Sequence, residues 1–405
     1  MDERKRESEI RTGRIGYLDS IRGLASVLVI WCHLACVFIP GLYFFEKANT
    51  TFEKIWLLTP LNVLTNGDAA VQCFFVLSGY LITRKIYLST KAKRTPLSEY
   101  RKLLRVVIPG ILFAVLLMVT GLMFHLQAAD KNPLLDFVKD YNNFTPTLKS
   151  VIYDIFGRSF IYKSIYNGPF WTIKYEFFGA MIVTLCALYC ADKKSSKYIY
   201  IFFGIILLFF VKPYYVSFIA GAYAYDCVEK EKEDSSIIGR ITRIFLNNRV
   251  LRIILFITGI YLFCVNMTVD GIWKPIQYIP WIKEYPEMLR TAGIALIIPV
   301  IVKTLLLQKL LSFRPLIWLG RISAYTYAFH WPVILSVGCG VYLLLSDYLN
   351  YYAVVLIASA VVFIITLLSA HFFTLLVPKV VSAENHLIQK IKEKFSKKKA
   401  TESGV

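Results

Sequence analysis

The sequence predicts an all-α polytopic membrane protein of about ten transmembrane helices, with both termini cytoplasmic. Composition and block length predict the class. Of the 405 residues, 57% are apolar and 15% aromatic, far beyond what a soluble domain needs to fill its core. The apolar residues fall in blocks of about 20, the length at which a helix rising ~1.5 Å per residue crosses ~30 Å of hydrocarbon. The placement of Lys and Arg then sets the orientation.

The blocks run from Leu24 to Gly41, Ala69 to Ile86, Val106 to Phe124, Trp171 to Cys190 and Tyr198 to Val211. They continue from Tyr215 to Val228, Leu251 to Met267, Met288 to Leu307, Ile322 to Leu345 and Tyr352 to Val377. The first carries Arg22 at its mouth and lacks a small-residue cleavage site, so it reads as a retained helix and not as a cleaved signal. The fifth is short for a span, and Lys212-Pro213 after it reads as the corner of a helical hairpin. Basic residues near span ends stay in the cytoplasm. The N-terminal arm, the segments after the second, fourth, sixth and eighth blocks and the C-terminal tail hold about three quarters of the 46 basic residues, which makes both ends cytoplasmic.

That topology, together with anionic lipid headgroups, accounts for the net charge of +19. Without a basic-aromatic module, the sequence gives nucleic acid no reader. One membrane domain is expected over residues 15–378, between a basic arm (1–14) and a Lys-rich tail (379–405). Any chemistry is expected of the membrane part itself. The long stretch from His125 to Gly168 alternates aromatic and polar residues and is expected to cover an external opening. All eight cysteines lie in or beside spans and read as packing residues, with no metal-ligand or disulfide spacing.

Ionisable side chains inside spans are costly, and each is a candidate for function. Arg22 and His33 are eleven residues apart, and eleven steps of ~100° return a helix to within ~20° of its start, so both lie on one face. Asp19 and Ser26 share that stripe. His33 sits deeper than Arg22 by about 16 Å, near the bilayer centre, where an imidazole suits proton transfer near neutral pH. Interhelical hydrogen bonding is its bland alternative. A second cluster, Gly168-Pro169-Phe170-Trp171-Thr172-Ile173-Lys174-Tyr175-Glu176, enters the fourth block from outside. An aromatic belt explains Phe170, Trp171 and Tyr175 but not Glu176, which is expected one to two turns below the external interface and needs a partner such as Lys174, Tyr175 or a histidine from the first block.

A third cluster gathers Arg84, Lys85, Lys91, Lys93, Arg94, Arg101, Lys102 and Arg105 at one cytoplasmic mouth, which suits a polyphosphate ligand but also follows from topology alone. Ser78-Gly79, in the run from Phe74 to Thr83, permits close helix packing. His330 stands in Tyr325-Thr326-Tyr327-Ala328-Phe329-His330-Trp331-Pro332, where the proline frees a backbone carbonyl for local polar contacts. His125 and His371 have no constellation around them.

Four blocks together resemble the acyltransferase-3 family of integral membrane acyltransferases, which includes bacterial O-antigen and surface-polysaccharide O-acetyltransferases. They are Tyr17 to Ala25 running on to His33, Phe74 to Thr83, Gly168 to Glu176, and Gly320-Arg321-Ile322-Ser323 running on to Pro332. The resemblance implies transfer of an acyl group from cytoplasmic acyl-CoA, usually acetyl-CoA, to a glycan hydroxyl at the outer face of a bacterial inner membrane. It implies His33 as the catalytic histidine, Arg22 as its essential arginine and Glu176 as the acidic residue of the third block. On the same basis Arg22, Arg84, Arg101, Arg105, Ser78 and Tyr80 are expected on the donor side. Trp171, Lys174, Asp19 and His330 are expected on the acceptor side, and no metal is implied. The chain departs from the family pattern at Lys174, where a small or apolar residue is more usual, and lacks the second acid after Glu176. The rival class is a transporter or flippase for a lipid-linked glycan, whose repeated halves and paired broken helices the sequence does not show.

Overall fold

A computed structural model describes residues 15–88, 95–191, 193, 195–210, 212–229, 236–266, 272–280 and 284–402, with the side chains of 210, 387 and 391–402 excepted. The basic arm, the cations Lys91, Lys93 and Arg94, and the charge run over 230–235 lie outside these residues. Among the described residues all regular structure is helical. Ten helices carry the ten apolar blocks: α1 (Gly16–Phe38), α2 (Gly67–Leu88), α3 (Pro96–Val119), α4 (Ile173–Cys190), α5 (Ser196–Phe210), α6 (Pro213–Glu229), α7 (Arg249–Phe263), α8 (Pro286–Lys303), α9 (Arg314–Val333) and α10 (Tyr351–Glu402). The chain is a multi-pass integral membrane protein.

Helix length and apolar content alone do not confirm all ten expected spans. Among the described residues six helices are long and apolar enough to cross a bilayer, and up to eight do so if Ile237–Asn247 with α7, and α8 with Leu305–Leu311, each form one bent span. The remaining two, α5 and α6, have 15 and 17 residues. At ~1.5 Å per residue both fall short of ~30 Å of hydrocarbon, as the brevity of the fifth block foreshadowed. The expected tail boundary falls at Pro378, inside the unbroken α10.

Local chemistry fixes the helix starts. Thr95 caps α3 by accepting from the Ser98 amide, while the Ser98 hydroxyl closes back on the Thr95 amide and Pro96 fills the first turn. Asn248 caps α7 through the amides of Val250 and Leu251.

Small residues then bring two helix pairs into backbone contact, as expected where lipid offers no hydrophobic drive between helices. A Cβ on Gly320 of α9 would stand 2.1 Å from the Asp19 carbonyl oxygen of α1, and one on Gly23 2.6 Å from the Gly320 nitrogen. Gly79 of α2 meets the Phe218 carbonyl of α6, and Gly221 of α6 meets that of Val76, each at 2.0 Å from a notional Cβ. All eight cysteines are buried between helices, and none forms a disulfide.

Pro332 has no amide hydrogen to offer the Ala328 carbonyl, and Asn167 Nδ2 fills that place at 2.8 Å. Beyond Pro332 the helix widens over Ile334–Gly338 and resumes over Cys339–Leu345. The Leu335 carbonyl there accepts from the Phe124 amide. The stretch after α3 folds over this end of the bundle, with Tyr141 edge-on to Trp331 at 4.7 Å and His125 Nε2 2.7 Å from the Tyr141 carbonyl.

Candidate active site

Two histidines from different helices meet inside the bundle. His33 Nδ1 of α1 lies 2.9 Å from the Val29 carbonyl, and His330 Nδ1 of α9 lies 2.8 Å from the Tyr327 carbonyl. A carbonyl only accepts, so both Nδ1 atoms carry hydrogen and both Nε2 atoms present lone pairs. His330 Nε2 stands 3.3 Å from His33 Nδ1, on the donor side of that ring. His33 Nε2 is left as the basic atom of the pair. His330 is fully buried and His33 partly exposed. Trp331 closes on His33 edge-on, with ring centres 5.2 Å apart.

Tyr327 stands one turn from His330, with ring centres 5.6 Å apart, and forms part of the wall of a cavity of about 560 Å³. The Tyr327 hydroxyl donates to the Pro169 carbonyl and lies 2.9 Å from Thr172 Oγ1, which anchors the segment before α4 against α9. Val71, Phe74 and Phe75 give the cavity an apolar side. Its charged lining is Arg22, Lys102, Arg105 and Arg321 against the single carboxylate of Glu176. Arg22 Nε is buried there without a hydrogen-bond partner. Glu176 accepts from Ser78 Oγ at 2.9 Å and lies 3.8 Å from Lys102 Nζ, which is also 3.5 Å from Glu99. An apolar chamber with an excess of cations suits a ligand that is part hydrocarbon and part anion.

A family model described as an acyltransferase domain matches residues 15–371. The chain belongs to the acyltransferase-3 family. No curated protein and no solved structure matches it.

In this acyltransferase the cavity gathers Arg22, Arg105, Ser78 and Glu176 from the expected site, and the histidine pair joins His33 to His330. Glu176 departs from expectation in its depth and its partners. Asn167 reaches Ala328, about 21 Å along α9. The chain therefore dips into the bundle before α4 begins, and Glu176 meets Ser78 and Lys102 instead of Lys174, Tyr175 or a histidine.

Arg101 and Arg105 are both paired with Glu384 of α10, whose Oε2 is 2.7 Å from Arg105 Nη2. Arg101 lines a neighbouring groove of about 620 Å³ that shares Arg105, Tyr325 and Val377 with the cavity. Tyr80 and Arg84, expected on the donor side, line neither space. The Gly79–Phe218 contact turns their face of α2 towards α6, where Tyr80 is buried edge-on against Tyr225 at 5.2 Å.

The expected acceptor residues divide. His330 joins His33, whereas Asp19 lies at the α1–α9 crossing, with its backbone against Gly320. Trp171 packs with Tyr175 and Tyr214, and Lys174 Nζ lies 4.9 Å over the Tyr175 ring, so both belong to an aromatic cluster away from the histidines.

Lys102, Arg321 and Tyr327 line the cavity without having been assigned to either substrate from the sequence. Each stood in a flagged run. What marks them is convergence from α3 and α9 onto Arg22, which no linear spacing displays.

Proposed function

We propose that this acyltransferase moves an acetyl group from cytoplasmic acetyl-CoA to a hydroxyl of a cell-surface or lipid-linked glycan at the outer face of a bacterial inner membrane. The observation that carries the reading is the buried, unpartnered Arg22 Nε in a cation-lined cavity that adjoins the histidine pair. Coenzyme A brings phosphates and a flexible apolar arm, which match the charged and apolar parts of that lining. Arg22, Lys102 and Arg321 hold the anionic end, and the thioester reaches the Tyr327 wall.

His33 Nε2 accepts the proton of the acceptor hydroxyl as its oxygen attacks the thioester carbonyl. The new C–O bond forms, the C–S bond breaks, and the proton passes from His33 to the departing thiolate. As His33 gains charge, its Nδ1 hydrogen is held by the Val29 carbonyl and faces the His330 Nε2 lone pair. Both stabilise the imidazolium.

The test is acetyl transfer from radiolabelled acetyl-CoA to glycan fractions in membranes carrying the wild-type chain or its His33→Ala variant at matched expression. Label that depends on His33 supports the reading. A folded His33→Ala variant that still transfers label overturns the mechanism, and absence of transfer by the wild type overturns the choice of donor or acceptor.

A further inference from the structure

A second cavity, of about 270 Å³, lies at the other end of α1, where the chain turns from α1 into α2. Where the first has an excess of cations, this one sets the carboxylates of Glu46 and Asp68 against the guanidinium of Arg290, among neutral amides and hydroxyls. Asn62 is 96% buried, its exposure being 4%. Its Nδ2 donates to the Cys264 carbonyl at 2.9 Å, while its Oδ1, buried at the cavity wall, has no hydrogen-bond partner. Asp68 opens the first turn of α2 and is 3.3 Å from Arg290 Nη1 of α8. Arg290 is fixed from behind by a 3.2 Å bond from its Nε to the Val265 carbonyl. Tyr43 and Phe44 supply aromatic faces, set edge-on to each other at 4.8 Å.

This cavity lies past the end of the catalytic histidine's helix that is remote from Arg22. A Cβ on Gly67 would stand 2.6 Å from Cys32 Sγ, which brings the start of α2 against the residue preceding His33. Asp68 follows Gly67 directly, so its carboxylate leaves the chain one residue beyond that contact. The donor cavity therefore approaches the histidine pair from Arg22 and Tyr327, and the second cavity approaches it from Asp68.

We propose that the cavity between Tyr43, Asn62, Asp68 and Arg290 is the acceptor subsite of the transfer reaction and holds one neutral pyranose ring. The inference rests on the acyltransfer reading above. A vicinal diol both donates and accepts, and matches an unpartnered amide oxygen and a carboxylate set beside a guanidinium. The aromatic rings cover the carbon face of the sugar. Two carboxylates, Asp68 and Glu46, against the one guanidinium of Arg290 disfavour phosphate, so the cavity is no second nucleotide site. Its volume lies just below the ~300 Å³ at which drug-sized pockets begin, which suits a single ring and excludes an oligosaccharide.

The experiment uses the full chain in lipid nanodiscs, radiolabelled acetyl-CoA, and the glycan fraction that wild-type membranes acetylate, with initial rates measured against each substrate for wild type, Asp68→Asn and Tyr43→Ala. The expected result is a KM for the glycan raised about tenfold or more in both variants, with the KM for acetyl-CoA unchanged. The unchanged donor KM also shows that the variants are folded. Unchanged glycan KM values in both variants overturn the subsite while leaving the acyltransfer reading intact, and so does an equal rise in both KM values. A wild-type chain that acetylates no glycan overturns that reading and the subsite with it.

Discussion

His330 Nε2 lies 3.3 Å from His33 Nδ1, with its lone pair on the hydrogen-bearing side of the His33 ring. On the proposed mechanism His330 is a positioning residue, acting on the substrate only through His33. His330→Ala is expected to lower kcat about 10- to 100-fold, within the range for support of acid–base chemistry, and to leave the KM for acetyl-CoA unchanged. His330→Gln, whose amide oxygen still accepts, retains more of the rate. Steady-state kinetics on the three proteins checks this, and a rise in donor KM without loss of kcat would place His330 in the binding site instead.

Glu384 occupies both Arg101 and Arg105, groups that the sequence offered to the phosphates of the donor. A carboxylate seated there competes with any phosphate that approaches the cavity from α3. Glu384→Gln is expected to lower the KM for acetyl-CoA about 3- to 10-fold and to steepen its dependence on salt. Donor titration at two ionic strengths reads both effects.

The α1–α9 crossing leaves no room for a side chain. Gly320→Val pushes a branched side chain into the Asp19 backbone and is expected to cost about 1–3 kcal/mol, seen as a lower thermal midpoint in detergent. Gly204→Ala is the control, since a Cβ there meets only Ile219 at an ordinary 3.9 Å. Equal midpoints for the two variants would mean the crossing is compliant.

Outside the spans, His125 is buried, its Nδ1 has no partner, and burial holds its pKa below the ordinary 6.5. As pH falls, the unfolded chain takes up this proton before the folded one does. The stability contributed by neutral His125 is therefore present above about pH 6.5 and lost below it. His125→Gln is expected to flatten the loss of thermal stability between pH 7 and pH 5, and a variant that parallels the wild type would show that His125 does not set it.

Much of the architecture was legible because the bilayer writes its thickness into the sequence. Each apolar block became a helix, and the Arg22-to-His33 spacing put one residue on the cation-lined cavity and the other beside it. His330 was visible as a histidine next to a proline, but its pairing with His33 was not, because the spacing between two chain segments carries no record of which helix faces meet. Glu176 was recognised as a residue in need of a partner and set at the wrong depth. Hydropathy marks the start of an apolar run, and it does not reveal that the chain has already descended along α9 before the helix begins. Tyr80 and Arg84 show the converse failure: position in a flagged block says nothing of direction, which Gly79 and Gly221 decide by drawing α2 onto α6.

All eight thiols are sequestered between helices, so the native chain is already a quiet background for maleimide chemistry. A single cysteine at Tyr348, whose side chain is 82% exposed at one end of the bundle, or at Leu88, 62% exposed at the end of α2, gives one reactive handle without a cysteine-free parent. An impermeant reagent applied to intact cells would then report directly which compartment each end of the bundle faces.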